Sequence, residues 1–423
     1  MKILNINKFH FRNGGADSYY LDLGSALRKK GHTVIDFAMH DKRNEPSAYT
    51  KYFVSHIDLQ NLRGLKAKAK GAARMIHSRE AARQLEQLIK DMHPDIAHIH
   101  NIYHQISPSI FSILKKYHIP TVMTVHDFKL ICPTYNLFAA GSICEKCKKH
   151  RYYQAALTKC NQNSRAASTM SAIEMSLHKA TQVYERGVDR FIASTQFVKD
   201  KLVEFGQNAD QITVIPMGIA AQKIAAISAA TTVTTTTKEP FVLFVGRLHA
   251  TKGVDILLHA LKTYKQTNGT EIPAKIIGSG EQESTLKELA TTLGLTKVQF
   301  LGRQNRETVY AHMRAASAVI VPSTYYETFG LTAAEAMAAG KPVIASNHGS
   351  LAELIEHDKT GLLFPAGNFQ ALAESITQVI KNPEQATIIG ANAQVEIQQK
   401  HDIDSHLRKL VELYTEYVQN RTK

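Results

Sequence analysis

The sequence predicts an α/β protein built from two Rossmann-like, doubly wound domains in tandem. Short apolar runs alternate with helix-like stretches along most of the 423 residues, and continuous apolar strands are typical of a parallel sheet covered by helices on both faces. The alternation stops near residue 220 and restarts near residue 241. With 44% hydrophobic residues, a chain of this length can bury two cores, because single domains seldom exceed about 300 residues.

Twelve apolar runs are the predicted strands, six in each half. In an open α/β sheet, ligands bind at the carboxyl ends of the strands, so two such domains facing each other are expected to form a binding cleft. The runs are KILNINKF, HTVIDFAM, PDIAHIH, PTVMTVHD, VDRFIAST and ITVIPMGI in the first half, and FVLFVGR, AKIIGSG, KVQFLGR, AVIVPST, PVIAS and GLLFPAG in the second.

Changes in composition predict the domain boundaries. Residues 1–220 form the N-terminal domain, interrupted at 128–165 by a segment with little periodicity that contains all four cysteines. Residues 221–240 include a threonine tract and end in Lys-Glu-Pro, which is typical of an exposed linker. Residues 241–403 form the C-terminal domain, and residues 404–423 form a final amphipathic helix.

The net charge of +14 is concentrated in the first half of the chain. Residues 1–220 contain 31 lysines and arginines against 18 acidic residues, a net +13. A basic amphipathic helix can dock on anionic lipid or bind nucleic acid, but a solvated helix face explains the same pattern. The strongest cluster lies within residues 61–90 and comprises Arg63, Lys66, Lys68, Lys70, Arg74, Arg79 and Arg83.

The expected compartment is the cytoplasm. No apolar stretch of the sequence approaches the roughly 20 residues that a membrane-spanning helix needs. The opening MKILNINKF is typical of a first β-strand and not of a signal peptide, because asparagines interrupt the apolar run and no small-residue cleavage site follows.

Two glutamates, Glu327 and Glu335, flank a bend between a predicted strand and a predicted helix. Thr332-x-x-Glu335 matches a capping box, which would give Glu335 a structural role only. A capping box explains neither Glu327 nor the Phe329-Gly330 step, which brings backbone N–H groups to the helix N-terminus. Those N–H groups suit a phosphate, and carboxylates on either side suit sugar hydroxyls. The pattern therefore favours a nucleotide sugar.

Positive partners for a diphosphate follow another predicted strand of the same half. Arg247 comes directly after FVLFVG, and Lys252 lies five residues further on. A guanidinium and an ammonium together can neutralise a leaving diphosphate, whereas either residue alone is equally well explained as an exposed charge after a strand. Because these cations and the helix N-terminus supply positive charge, we expect catalysis to require no metal or other cofactor.

These motifs resemble those of glycosyltransferase family 4, whose members are retaining enzymes of the GT-B fold. The resemblance implies that Glu335 holds the ribose, Glu327 the donor sugar, and Arg247 with Lys252 the diphosphate. It covers nearly the whole chain and rests on Gly246-Arg247-Leu248, Lys252-Gly253, Glu327-x-Phe329-Gly330-Leu331, Glu335-Ala336-Met337-Ala338-Ala339-Gly340-Lys341-Pro342-Val343 and Thr360-Gly361-Leu362-Leu363-x-Pro365. The donor-binding residues that it adds are Phe329, Gly330 and Leu331.

The first half fits the same resemblance. Gly14-Gly15, after the first strand, resembles the glycine loop beside the donor phosphates, although the pair taken alone predicts a plain turn. His126, at the end of PTVMTVHD, matches the position where the family places a histidine near the reacting sugar; a strand-end histidine is otherwise usually structural. Three residues after another strand are expected to line the acceptor side: His100, Asn101 and His104.

The cysteines follow the pattern C-x11-C-x2-C-x12-C, with Cys132, Cys144, Cys147 and Cys160. In a cytoplasmic chain, C-x2-C favours a metal site over a disulfide framework. Four thiolates could hold a zinc ion in a structural role. The alternative is free thiols in a lysine-rich loop.

The resemblance implies a retaining glycosyltransferase that moves a sugar from a nucleotide-sugar donor to a saccharide or a polyprenyl-diphosphate-linked acceptor. HDFKLICP followed by Cys-x-x-Cys resembles members associated with cell-surface polysaccharide synthesis, and the basic half fits an acceptor on the inner face of an anionic membrane. A nucleotide-sugar epimerase or a phosphorylase of the same fold is the nearest alternative. A non-enzymatic basic protein would leave the acidic pair without a role, so no nucleic-acid partner is expected.

Overall fold

A computed structural model describes residues 1–56, 71, 74, 76–230 and 239–421. The chain divides into two compact units, each with a parallel six-stranded sheet. The prediction of two Rossmann-like α/β domains is therefore confirmed. The first unit comprises Met1–Ala140, Cys144–Ile215 and Leu407–Lys423, and the second comprises Gly141–Ile143 and Pro216–His406.

The first sheet has the strand order β2-β1-β3-β4-β7-β8, and every neighbouring pair is parallel. Two further short strands, β5 and β6, form a separate sheet in the cysteine-rich segment. Each main strand coincides with one of the predicted apolar runs. The bounds are β1 Lys2–Ile6, β2 Thr33–Phe37, β3 Ile96–Ile99, β4 Thr121–Thr124, β5 Phe138–Ala139, β6 Ser142–Ile143, β7 Arg190–Ala193 and β8 Ile212–Val214.

The helices of the first unit begin where the sequence provides caps. The side chains of Ser78, Ser164 and Thr195 each accept a hydrogen bond from a backbone N–H three residues later, which satisfies a donor that the first helical turn leaves unpaired. The helices are α1 Gly15–Lys29, α2 Arg79–Met92, α3 Ser109–Lys116, α4 Gln154–Thr158, α5 Arg165–Thr181, α6 Val183–Gly187 and α7 Gln196–Glu204, with 3-10 turns at Thr50–Tyr52, Lys148–His150 and Ala209–Gln211.

The second sheet has the strand order β11-β10-β9-β12-β13-β14, again with every pair parallel. The order reverses between β9 and β12, and an open α/β sheet binds its ligands at such a point. The strands are β9 Val242–Val245, β10 Ala274–Ile277, β11 Val298–Gly302, β12 Ala318–Val321, β13 Val343–Ser346 and β14 Leu362–Phe364. The helices are α8 Ala221–Ala230, α9 Val254–Asn268, α10 Glu283–Thr292, α11 Arg306–Ala315, α12 Leu331–Ala338, α13 Gly349–Leu354, α14 Phe369–Lys381 and α15 Pro383–Lys400, with a 3-10 turn at Ala250–Lys252.

The structure corrects two predicted boundaries. Helix α8 occupies the first half of the predicted linker at 221–240, because AAQKIAAISAA is rich in alanine, the strongest helix former; residues 231–238 lie outside the described residues. The final helix, α16 (Ile403–Arg421), is not a separate segment: from Leu407 onward it belongs to the first unit. There its buried Tyr414 hydroxyl lies 2.6 Å from His98 Nδ1.

The predicted basic helix at 61–90 is only partly described. Arg79 and Arg83 lie in α2, and the Arg74 guanidinium donates to the Ser55 carbonyl oxygen at 2.9 Å. Arg63, Lys66, Lys68 and Lys70 lie outside the described residues, so the choice between a binding surface and a solvated face stays a prediction. Every helix in the described part of the chain is too short or too polar to span a bilayer.

Candidate functional site

The predicted phosphate- and sugar-binding residues of the second unit follow the two strands at its switch point. Strand β9 leads into Arg247 and then into the 3-10 turn that ends at Lys252. Strand β12 leads through Pro322 into the loop that carries Glu327, and α12 follows. Because β9 and β12 are parallel neighbours, both loops lie at the same edge of the sheet.

An ion pair joins these two loops. Lys252 Nζ lies 2.6 Å from Glu327 Oε1 and donates to the Tyr325 hydroxyl at 3.0 Å. The carboxylate also accepts hydrogen bonds from Ser323 Oγ at 2.7 Å and from the Tyr325 hydroxyl at 2.8 Å. The side chains of Lys252 and Glu327 are 26% and 13% exposed, so the pair is largely shielded from water. Four polar side chains from two loops therefore form one network.

Burial and pairing act in opposite directions on the charges of this network. Burial by itself would raise the pKa of Glu327, but the Lys252 ammonium and the hydroxyls of Ser323 and Tyr325 lower it below the usual value. Burial would lower the pKa of Lys252, but Glu327 raises it. Burial, together with Glu327, raises the pKa of Tyr325 to about 12. At neutral pH the pair is therefore fully charged and Tyr325 is protonated.

Neighbouring elements fix the loop that carries Glu327. His348 Nε2, from the end of β13, lies 2.7 Å from the Ser323 carbonyl oxygen. Ser350 Oγ donates to the Thr328 carbonyl oxygen at 2.9 Å, and the Thr324 N–H donates to the Thr251 carbonyl oxygen at 2.9 Å. The sequence analysis did not identify these contacts. Ser323 and Tyr325 could have been suspected as polar residues following a strand, but no local pattern points to His348.

Gly253 determines how closely the two loops approach each other. Its φ is +65°, and a Cβ built there would lie 2.0 Å from the Pro322 carbonyl oxygen. Both the left-handed backbone and the close approach require glycine. Gly278 has the same function beside Arg247, because a Cβ there would lie 1.8 Å from the Gly246 carbonyl oxygen. The Gly278-Ser279-Gly280 turn therefore packs against the backbone of the Arg247 loop.

Arg247 and Glu335 have different surroundings, and neither contacts the Lys252–Glu327 pair through a hydrogen bond or ion pair in the described part of the chain. Arg247 is exposed, and its guanidinium has no hydrogen-bond or ion-pair partner among the described residues. Glu335 lies in α12, where Oε1 accepts from the Tyr310 hydroxyl at 2.9 Å and lies 3.6 Å from Arg306 Nη2. Tyr310 and Arg306 were not predicted, because they come from α11 and share no motif with Glu335.

The N-terminus of α12 lacks the capping box that the sequence offered as an alternative role for Glu335. Gly330 is the N-cap, with φ +91°, and no side chain caps the helix, so Thr332 and Glu335 do not form a capping box. Phe329 is buried, and its ring packs on His401 at 5.3 Å between centroids. The first N–H groups of a helix have no intrahelical partner. Gly330 and Leu331 therefore carry the first N–H groups of α12, a few residues after Glu327 in the chain.

In the first unit, His126 belongs to a chain of hydrogen-bonded histidines at the carboxyl ends of β3 and β4, in which His100 is buried and His126 is partly exposed. His126 Nε2 lies 2.9 Å from His100 Nδ1, and His100 Nε2 lies 3.0 Å from Asn5 Oδ1. Since the amide oxygen of Asn5 can only accept, His100 Nε2 carries a hydrogen and His126 Nε2 donates to His100 Nδ1. Burial lowers the pKa of His126 to about 3, so the imidazole is neutral at physiological pH.

The residues predicted for the acceptor side have separate partners. Asn101 is buried, and its N–H donates to Asn7 Oδ1 at 3.1 Å. His104 Nε2 lies 3.1 Å from Glu174 Oε2, which also pairs with Lys129 Nζ at 2.8 Å. Lys129 and Glu174 are only 1% and 2% exposed. Sequence reasoning missed this buried ion pair, because its partners lie 45 residues apart.

The remaining predicted residues of the first unit are the glycine pair, which lies at the start of α1, and the four cysteines, which lie in the cysteine-rich segment. Gly14 is the extended N-cap of α1, and Gly15 is its first residue, so the pair lies where the chain enters the helix. All four cysteines line one cavity within the cysteine-rich segment, and all are free thiols. Burial, with the neighbouring sulfurs, raises the pKa of Cys147 to about 12.

Comparison with known proteins identifies the family. The model for Glycosyltransferase Family 4 matches residues 13–223, and the model for Glycosyl transferases group 1 matches residues 232–396. The chain belongs to the GT4-type glycosyltransferases. HepE of Anabaena, solved with UDP and glucose, aligns with 98% of this chain and 100% of its own at 20% identity, with a TM-score of 0.69. This similarity supports the GT-B fold.

Curated relatives align with part of the chain. An uncharacterized glycosyltransferase of Methanocaldococcus jannaschii is 34% identical over 177 residues, 42% of this chain and 45% of the relative. D-rhamnosyltransferase WbpZ of Pseudomonas aeruginosa is 35% identical over 161 residues, 38% of this chain and 41% of the relative. The chain thus spans less than half the length of either relative.

We predict that Gly253→Ala destabilises the second unit and displaces Lys252. The added methyl group must avoid the Pro322 carbonyl in a left-handed backbone, which should cost about 3 kcal/mol or more. The matched control is Gly269→Ala, at φ +70° with nothing within 4 Å of the new Cβ, which should cost only about 1 kcal/mol. Urea denaturation measures both; equal losses would contradict the close-approach argument.

We predict that His126 makes the protein less stable below pH 6.5. The unfolded chain binds a proton near the ordinary pKa of 6.5, whereas the folded chain does so only near 3, so stability falls as the pH drops, by up to about 2 kcal/mol at pH 5. In His126→Gln, the difference in Tm between pH 7.5 and pH 5 should shrink. His357→Gln, at a side chain 53% exposed, should keep the wild-type difference. An unchanged difference in His126→Gln would rule out this assignment.

Proposed function

We propose that the protein is a retaining glycosyltransferase that transfers a sugar from a nucleotide-sugar donor without a catalytic metal. The observation that carries this proposal is the Lys252–Glu327 network at the switch point of the second sheet. It brings a cation and a carboxylate together at one sheet edge, and the carboxylate lies in the loop that leads into the N-terminus of α12. A nucleotide sugar presents the complementary groups in the same order, because its diphosphate lies between two sets of hydroxyls.

The Lys252–Glu327 network has hydrogen-bonding capacity left for a ligand. Lys252 carries three N–H donors, and two of them are used by Glu327 and Tyr325, so one remains for a phosphate oxygen. Glu327 Oε2 accepts from Tyr325 and can accept a second hydrogen bond from a sugar hydroxyl. The ion pair that organises the loops can therefore hold the ligand without first breaking.

The proposed reaction breaks the bond between sugar C1 and the diphosphate oxygen and forms a bond from C1 to an acceptor oxygen on the same face. The acceptor proton passes to an oxygen of the leaving diphosphate. Arg247, Lys252 and the first N–H groups of α12 stabilise the charge that develops on the diphosphate. Glu327 accepts hydrogen bonds from three donors. A carboxylate bound in this way is better suited to position the sugar than to act as a nucleophile.

What is known of similar proteins agrees with a sugar donor of this class. WbpZ is named a D-rhamnosyltransferase, and HepE was solved with UDP and glucose. A nucleotide-sugar epimerase or a phosphorylase remains the alternative within the fold. Product analysis distinguishes them, since only a transferase makes a new glycosidic bond to an acceptor and releases the nucleoside diphosphate.

We predict that Lys252→Met and Arg247→Ala lower turnover by at least about 100-fold each, because each removes positive charge from the leaving diphosphate. Nucleoside diphosphate release from UDP-, GDP- and ADP-sugars measures this, after a thermal-shift screen has identified the donor that raises Tm. The matched control is Lys359→Met, which removes an exposed lysine paired with Glu356 and should retain full activity. Full activity in the Arg247/Lys252 double variant would exclude this donor site.

We further propose that the acceptor is a saccharide carried on lipid at an anionic membrane surface. Along α5, Met170, Ile173 and Leu177 are exposed and share one helix face by their spacing. Between Lys146 and Ile173 the chain carries six lysines and arginines and no acidic residue. Exposed apolar side chains on a helix that follows a basic segment fit the headgroup region of an anionic bilayer.

We predict that the protein floats with vesicles containing phosphatidylglycerol and not with vesicles of phosphatidylcholine alone. Ile173→Ser should reduce the bound fraction several-fold, since it removes an apolar side chain from the proposed contact. Ile388→Ser is the matched control, because Ile388 is equally exposed but lies in α15 of the second unit. Equal loss in the two variants, or no flotation of the wild type, would exclude this surface.

A further inference from the structure

The cysteine-rich segment contains a cluster of side chains that the proposed transfer reaction does not use. Cys132, Cys144, Cys147 and Cys160 are all the cysteines of the chain, and all four line one cavity in the first unit. Cys132 and Cys147 are 6% and 8% exposed, so the cavity lies below the surface. The four cysteines come from a stretch of 29 residues. Filling the cavity with apolar atoms would not require that all four be thiols.

Each cysteine reaches the cavity from a different local element. The Cys132 N–H donates to the Phe128 carbonyl oxygen at 2.7 Å, in the loop after β4, and the Cys144 N–H donates to Leu137 at 2.8 Å. Cys147 precedes the 3-10 turn Lys148–His150, and Cys160 follows α4, with its N–H 3.3 Å from the Ala155 carbonyl oxygen. Four short elements therefore each contribute one cysteine to the lining of the cavity.

Around Cys147 the apolar cluster is small, although Phe128, Ile131 and Leu137 of the same segment are also buried. The buried cluster around Cys147 contains only Tyr152, Ala155, Ala172 and Met175, with Cys160 packed against it. Small segments of this kind usually need a cross-link or a metal ion for stability. The C-x2-C pair, followed and preceded by one cysteine each, is a spacing typical of zinc sites.

We propose that Cys132, Cys144, Cys147 and Cys160 form a structural zinc site, with four thiolates around one tetrahedral ion. Among the described residues, no group of three or more histidine, cysteine or acidic side chains is arranged so that it could hold a metal ion. Binding therefore requires the thiols to turn towards a common centre within the cavity that they line. Zinc is favoured over harder cations because the cavity offers sulfur ligands.

The zinc site would fix the loop that leaves β4. Cys132 lies six residues after His126 and three after Lys129. His126 belongs to the histidine chain, and Lys129 forms the buried ion pair with Glu174. The ion would anchor the far end of this loop, so its role is to hold the first unit in shape and not to take part in sugar transfer.

The test measures metal content by mass spectrometry in the full chain purified with zinc present. The wild type should contain about one zinc per chain. The zinc content of Cys147→Ser should be at least about tenfold lower than that of the wild type. Thr158→Val is the matched control, because Thr158 lines the same cavity and is not a thiol. It should retain the zinc.

Two further measurements keep the proposal testable if Cys147→Ser does not fold. Cobalt exchanged into the wild type should give the intense visible absorption of tetrahedral thiolate coordination, and chelation should lower Tm without changing the chain's mass. Four reactive thiols in a metal-free protein of unchanged Tm would overturn the proposal. A mass four hydrogens lower, or an iron–sulfur absorption spectrum, would overturn it in favour of two disulfides or of a cluster.

Discussion

The ion pair between Lys252 and Glu327 organises the candidate donor site. A largely buried pair must offset the cost of removing two charges from water, which requires close geometry and further hydrogen bonds. Ser323 and Tyr325 supply those bonds, and His348 and Ser350 hold the loop that presents them. The loops after β9 and β12 are thereby fixed before any ligand arrives, so binding a diphosphate need not order them first.

Backbone packing makes this arrangement possible. Lys252 reaches Glu327 because Gly253 lets the chain approach the Pro322 carbonyl, and the Arg247 loop is supported by the turn at Gly278. Side chains at either glycine would force the loops apart. The charged groups of the site thus depend on two positions that carry no chemistry of their own.

The strand-end histidines of the first unit are neutral, whereas the strand-end Lys252–Glu327 pair of the second unit is charged. His126, His100 and Asn5 form a hydrogen-bonded chain, and burial keeps both imidazoles uncharged. In the proposed transfer reaction, a neutral histidine at this position would orient a sugar hydroxyl without adding positive charge. The buried Lys129–Glu174 pair anchors the loop that begins at His126.

Periodicity and composition were sufficient to predict the twelve main strands, because strands buried on both faces are continuous apolar runs whatever their neighbours. The motif around Glu327 likewise predicted that carboxylates and cations share one sheet edge, since parallel strands end together. The alanine content of residues 221–230 favours the helix α8 that the linker prediction overlooked, whereas no local pattern indicated that α16 returns to the first unit, because that depends on an available packing surface. Only the tertiary structure showed three hydrogen bonds: from Tyr310 to Glu335, between His348 and the Ser323 carbonyl oxygen, and between His126 and His100. These partners are distant in the chain, and hydrogen bonds between distant residues leave no local pattern.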